Sequence, residues 1–96
     1  IQVGIASIND TCINYCKNIN EILVDQNFRC KIDTRNEKLN FKIREFTLER
    51  IPFILVIGEK EVERKLVTLR IHGEEKQHIL KIDELIKKLK NSCRIS

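Results

Sequence analysis

The chain changes its hydrophobic period several times, and each change marks an element. Residues 2–8 are apolar almost throughout, which suits a buried strand. Asn9 and Asp10 follow, and their side-chain oxygens predict a capped helix start. Apolar groups then recur at Cys12, Tyr15, Cys16, Ile19, Ile22 and Leu23. Spacings of three and four put them on one face of an amphipathic helix. Asn27 tolerates positive φ and is expected to stop that helix. Phe28, Cys30 and Ile32 alternate with Arg29 and Lys31, the period of a half-buried strand. Thr34 and Glu37 fit a capping box. A second helix is expected through Leu39, Ile43, Phe46 and Arg50, with Lys38, Lys42, Glu45 and Glu49 on its charged outer face. Pro52 breaks it.

Phe53, Ile54, Leu55, Val56 and Ile57 form an unbroken apolar run between Pro52 and Gly58. Such a run predicts a central strand covered on both faces. Residues 59–65 read as a charged connector, 66–71 as a strand, 72–75 as a turn and 77–81 as a short edge strand. A final helix over 83–90 turns Leu85, Ile86 and Leu89 inward. Its lysines gather toward the C-terminus, where the helix dipole favours cations. Residues 92–96 are expected to fray. The order is βαβαβ, then two strands and a helix. It predicts an α/β fold: a three-layer α/β/α sandwich with a mixed, mostly parallel five-stranded sheet and right-handed crossovers.

Composition narrows the class. At 96 residues the chain is one domain, spanning residues 1–96. It is 42% hydrophobic and 33% charged, the balance of a globular chain rather than a disordered one. No apolar run approaches the ~20 residues of a membrane span, so no membrane partner is expected. The chain opens on Ile1 and contains no methionine, so it is expected to be a piece of a longer protein. Cys12, Cys16, Cys30 and Cys93 lack the density of a disulfide framework and read as small buried hydrophobes in a reducing compartment. With His72 and His78 distant in sequence, they make no metal-ligand spacing. Only three glycines are present, and they form no phosphate loop. No Ser sits in a nucleophile elbow. Glu61 and Glu63 lie in a charged stretch, where acidic residues are usually solvated, and the sequence gives no hint of the cleft a catalytic pair needs. No catalytic residue is therefore expected.

Charge adds a location. The net charge is +4, and residues 28–50 hold seven basic groups against four acidic ones. That stretch is either a mixed solvated face or a phosphate-facing surface. Within it, residues 33–46 run from a strand end into a basic helix, and open α/β sheets bind ligands outside such strand ends. Arg35, Asn36 and Lys38 would gather there. Asn can read a base edge, while Lys and a helix N-terminus can hold phosphate. Phe41 offers either a stacking face for a base or a core-packing group, and core packing is the commoner use.

The run Arg35-Asn36-Glu37-Lys38-Leu39, followed by Phe41-Lys42-Ile43-Arg44-Glu45, closely resembles the signature of the anticodon-binding domain of threonyl-tRNA synthetases. Ile51-Pro52-Phe53, leading to Val56-Ile57-Gly58-Glu59-Lys60-Glu61-Val62-Glu63, looks like that family's central strand and the loop after it. Leu69-Arg70 ends the matching next strand. The resemblance covers nearly the whole chain. It implies an anticodon-loop grip on threonine tRNA, with Asn36 and Lys38 touching the loop and Glu61 and Arg70 reading its second and third anticodon bases. Arg offers a fork to guanine, and Glu accepts from base amino or imino groups. It also implies no cofactor in this domain, a parent enzyme using ATP, magnesium and zinc, a catalytic core elsewhere in that parent, and a homodimer. The parent is expected in the cytoplasm, with an organelle as the alternative. Two positions depart from the family. Asn40 stands where Gly is usual, so a reshaped helix start is expected. Only Ile71 and His72 separate Arg70 from Gly73, where further basic residues are usual. The rivals are the equivalent domain of a sister synthetase for proline, histidine or glycine, and a non-catalytic RNA- or protein-interaction module of the same fold.

Overall fold

The computed structural model describes residues 2–33, 38–71 and 77–92. Five strands form one sheet: β1 (Val3–Ser7), β2 (Cys30–Asp33), β3 (Phe53–Ile57), β4 (Leu66–Ile71) and β5 (Gln77–Lys81). Their spatial order is β2-β1-β3-β4-β5. β1 pairs in parallel with β2 and with β3, while β3–β4 and β4–β5 are antiparallel. β5 therefore runs with the first three strands, and β4 alone runs against them. The reversal has a simple cause. A parallel crossover takes about a dozen residues or more; residues 58–65 are too few, and the chain must return beside the strand it has just left.

Four helices complete the described fold: α1 (Ile13–Asp25), α2 (Leu39–Leu48), α3 (Glu59–Arg64) and α4 (Ile82–Ser92). Strand alternation decides what each one covers. Val3, Ile5, Phe53, Leu55, Ile57, Val67 and Leu69 face α1 and α4, and close over Cys12, Cys16, Ile19, Leu23, Leu85 and Leu89. Ala6, Ile54 and Val56 face the other way, onto Phe46 and Ile51 with Leu39 and Ile43 of α2 beside them. Three layers result, as the periodicity predicts. β1 and β3 are buried along their whole length. Gly4 is required on the α2 face: a Cβ there would lie 2.8 Å from the Phe46 ring.

The boundaries differ from expectation at several points. The charged stretch 59–65 is not a plain connector, since α3 occupies most of it. Glu61 drives this by accepting the Gly58 N–H at 3.1 Å, which satisfies one orphan donor at the helix start. Lys65 then ends the helix at φ 56. The helix expected to run through Arg50 stops at Leu48, and Arg50 takes φ 61 before Pro52 is reached. Asn27, at φ 69, stops α1 as expected. Asn9 does not cap by its side chain. A short 3-10 turn, Asp10–Cys12, precedes α1, and the Asn9 Oδ1 accepts the Thr11 hydroxyl at 2.6 Å and the Cys12 thiol at 3.2 Å. Asn40 sits within α2 with no positive φ, so the helix start is not reshaped there. The Thr34–Glu37 capping box, the 72–75 turn and most of the 92–96 tail lie outside the described residues.

Lys42 is the largest correction. Assigned by its charge to the outer face of α2, it is only 2% exposed. Its position is three residues after Leu39 and four before Phe46, on the inward stripe, and spacing prevails over charge. The ammonium reaches the end of β1, where it donates to the Ser7 carbonyl at 2.9 Å and lies 3.4 Å from the Ser7 hydroxyl.

Candidate nucleic-acid interface

The sheet is sealed on one face and half open on the other. α1 and α4 lie along the first. On the second, α2 packs on β1, while no described helix lies over β4 and β5 on that side. Register defines what this open half presents. Thr68 pairs with Val56 and Ile79, and Arg70 with Ile54 and Gln77, so all point to the α2 side. Ile79 is 67% exposed there, Gln77 is exposed and Arg70 half-buried. Thr68 is buried between its strand neighbours.

Glu61 joins this surface from above. It belongs to the first turn of α3, at the C-terminal end of β3, and its Oε1 accepts the Thr68 hydroxyl at 2.8 Å. With Gly58 on Oε2, both carboxylate oxygens are anchored. Gly58 leaves room for this: a Cβ would stand 3.1 Å from Oε2 and 2.7 Å from Ile8. Behind lies Tyr15, whose hydroxyl donates to the Leu66 carbonyl at 3.1 Å. Burial, then the neighbouring Cys16 and Glu61, push its ionisation up, so it remains a neutral donor.

Lys38 and Phe41 occupy the same end of the sheet, at the start of α2. Lys38 is exposed, and its carbonyl accepts the Phe41 and Lys42 N–H groups. Phe41 is 43% exposed, so of its two readings the core-packing one is not realised. Arg35 and Asn36 lie outside the described residues. Of the six expected RNA-facing residues, the structure thus brings Glu61 and Arg70 to one half-face, with Thr68 between them. It puts Lys38 and Phe41 on the rim at the C-terminal strand ends. Thr68, Gln77 and Ile79 escaped the sequence reading. The alternation of Val67, Thr68, Leu69 and Arg70 held the signal for Thr68, since residues two apart share a face.

The cleft beside α2 is a poor candidate. A cleft of ≈ 620 Å³ between β2 and α2 is lined by Asp33, Glu45 and Glu49 against Lys31. Carboxylates repel phosphate. Among the described residues no group of three or more His, Cys, Asp or Glu could hold a metal ion, and no helix is long and apolar enough to cross a membrane. Cys12, Cys16 and Cys30 are free thiols. Burial, then the adjacent Cys12, pushes the Cys16 thiol up to about 12, and burial pushes Cys30 up to about 11. Thiols so protonated are poor nucleophiles and ligands.

A mixed sheet with an open half-face, an anchored acceptor and an arginine on it suits a nucleic-acid-reading module. Comparison with known families agrees: residues 2–92 match the anticodon binding domain family, and the chain belongs to it. Within that family its sequence is similar to threonine–tRNA ligases. It is 46% identical over 90 residues to the one from Hahella chejuensis, covering 94% of this chain and 14% of that protein. The Buchnera aphidicola enzyme is 49% identical over 89 residues, covering 93% and 14%. The chain therefore spans about one-seventh of the curated relatives it matches. In structure it resembles the RNA binding domain of threonyl-tRNA synthetase from Cryptosporidium parvum, with TM-score 0.91 and 34% identity over 94% of this chain and 23% of that one. Prolyl-tRNA synthetase of the same organism superposes with TM-score 0.87 at 21% identity, covering 98% and 22%, a likeness of fold alone.

Proposed function

We propose that residues 1–96 are the anticodon-binding domain of a threonyl-tRNA synthetase, choosing threonine tRNA for a catalytic core carried elsewhere in the parent. The observation that carries this reading is the pairing of an anchored acceptor, Glu61, with a donor fork, Arg70, on the uncovered half-face of a chain 46% identical to a threonine–tRNA ligase. Anticodon bases are readable because a single-stranded loop can splay them out. Glu61 accepts from base amino or imino groups, and Arg70 donates to base acceptors, so together they read the second and third anticodon bases. Phe41 supplies a stacking face, and Lys38, with Arg35 and Asn36, holds the loop. A net charge of +4 steers the RNA without dominating its binding.

Chemistry belongs to the core: threonine activation with ATP, and with it magnesium and zinc. The parent is a cytoplasmic homodimer in this reading. A sister synthetase is the less favoured alternative, because identity falls from 34% in the threonyl structure to 21% in the prolyl one. The test is an NMR titration of the chain with a threonine anticodon stem-loop and with one altered at the second anticodon base. Shifts at Lys38, Glu61 and Arg70 that vanish with the altered loop support the reading. Identical diffuse lysine shifts with both loops, or none, sink it in favour of an interaction module.

A further inference from the structure

The two bonds that anchor Glu61 differ in kind. The Gly58 N–H bond is local and belongs to the start of α3. The Thr68 bond crosses from β4 to α3, and its donor is 6% exposed between Val67 and Leu69, both fully buried. A buried hydroxyl needs a partner. This one finds it in a carboxylate on the surface assigned above to base reading.

We propose that Thr68 is a positioning residue for RNA: its hydroxyl sets the direction in which Glu61 presents its remaining lone pairs, and so sets base preference. The inference rests on the anticodon reading of Glu61. An ionised carboxylate has about four lone-pair sites. Gly58 and Thr68 occupy one on each oxygen, which leaves one on each for a base edge. With both oxygens tied, the carboxylate plane is held before RNA arrives, and no rotamer freedom is lost on binding. A fixed acceptor also rejects a base that presents another acceptor, because it cannot swing away into water. Thr68 touches no RNA in this scheme; it acts through Glu61, while Arg70, two residues along the same strand face, donates directly.

The experiment measures dissociation constants of the full 96-residue chain for the threonine anticodon stem-loop and for the loop altered at the second anticodon base. Four proteins are compared: unaltered, Thr68→Val, Thr68→Ser and Glu61→Gln. Thr68→Val keeps shape and removes the donor. It is expected to weaken the threonine loop about 3–10-fold, the worth of one hydrogen bond, and to leave the altered loop within about twofold. Thr68→Ser restores the ratio. A role in stability alone weakens both loops equally, which overturns the proposal. Should Val disturb β4, Thr68→Ala carries the same expectation. If Glu61→Gln erases the preference while Thr68→Val keeps it, Thr68 is not a positioning residue and the anticodon reading stands. If Glu61→Gln leaves the preference intact, or the unaltered chain shows none, the reading beneath falls and the proposal with it.

Discussion

The two faces of this sheet are built from the same five strands, yet one is finished and the other is not. Under α1 and α4, every inward residue of β1 and β3 is buried, as are Val67 and Leu69 of β4, while Ile71 at the end of β4 is half-buried against the same core. On the α2 side, one described helix serves the parallel half and stops. Beyond it β4 and β5 leave Arg70, Gln77 and Ile79 in reach of solvent, with Glu61 leaning in from α3. The sealed face holds the molecule together. The open one is free to carry chemistry, because residues there do not have to pack.

The contrast is sharpest where stability is concerned. Leu55→Ala, at the centre of the sealed face, should cost about 2–5 kcal/mol in urea-induced unfolding. A smaller loss would mean the core collapses around the gap.

Lys42→Ala probes the covered half of the other face. It removes the donor to the Ser7 carbonyl and should cost about 1–3 kcal/mol, read from the same unfolding midpoints. An unchanged midpoint would mean that water replaces the ammonium without penalty and that this half is looser than drawn.

Arg70→Ala, on the uncovered half, should change stability by no more than about 0.5 kcal/mol while costing about 1–3 kcal/mol of discrimination between stem-loops. A large loss of stability there would erase the distinction between the two halves.

Alkali offers a gentler test of the sealed side. The Cys16 thiol rises from 9.0 to about 12 on folding, chiefly through burial. Between those values the folded chain holds a proton that the unfolded chain has released, so stability falls as pH rises from 9 toward 12. Cys16→Ala should flatten that part of the melting-temperature profile; an identical slope in both proteins would mean the thiol is not sealed.

The smallest effect is expected at the rim. Lys31 and Glu49 meet at 2.6 Å with both side chains over two-fifths exposed, and Lys31→Ala should cost less than about 1 kcal/mol by thermal melting.

Much of the fold was legible in the chain. Strand alternation, the three-and-four spacing of Cys12 to Leu23 and the apolar run before Gly58 each follow from local geometry, and each appears where expected. Asn27 stops α1 for a reason internal to one residue. The wording around Lys38 and Phe41 carried the family, and with it the expectation that Glu61 and Arg70 work together. Sequence alone determined these because periodicity, backbone preference and motif are written in neighbouring residues. Tertiary structure decided the rest. Lys42 is buried because Leu39 and Phe46 put it on the packed stripe and Ser7, 35 residues away, supplies an acceptor. Charged residues 59–64 coil into α3 because Glu61 can bond both Gly58 and Thr68. Phe41 remains outside because Leu39, Lys42, Ile43 and Phe46 take the side of α2 that packs on the sheet. The open half-face exists because residues 58–65 are too short for a crossover and no further described helix covers β4 and β5. Each of these depends on which distant groups meet, and that is settled only when the sheet closes.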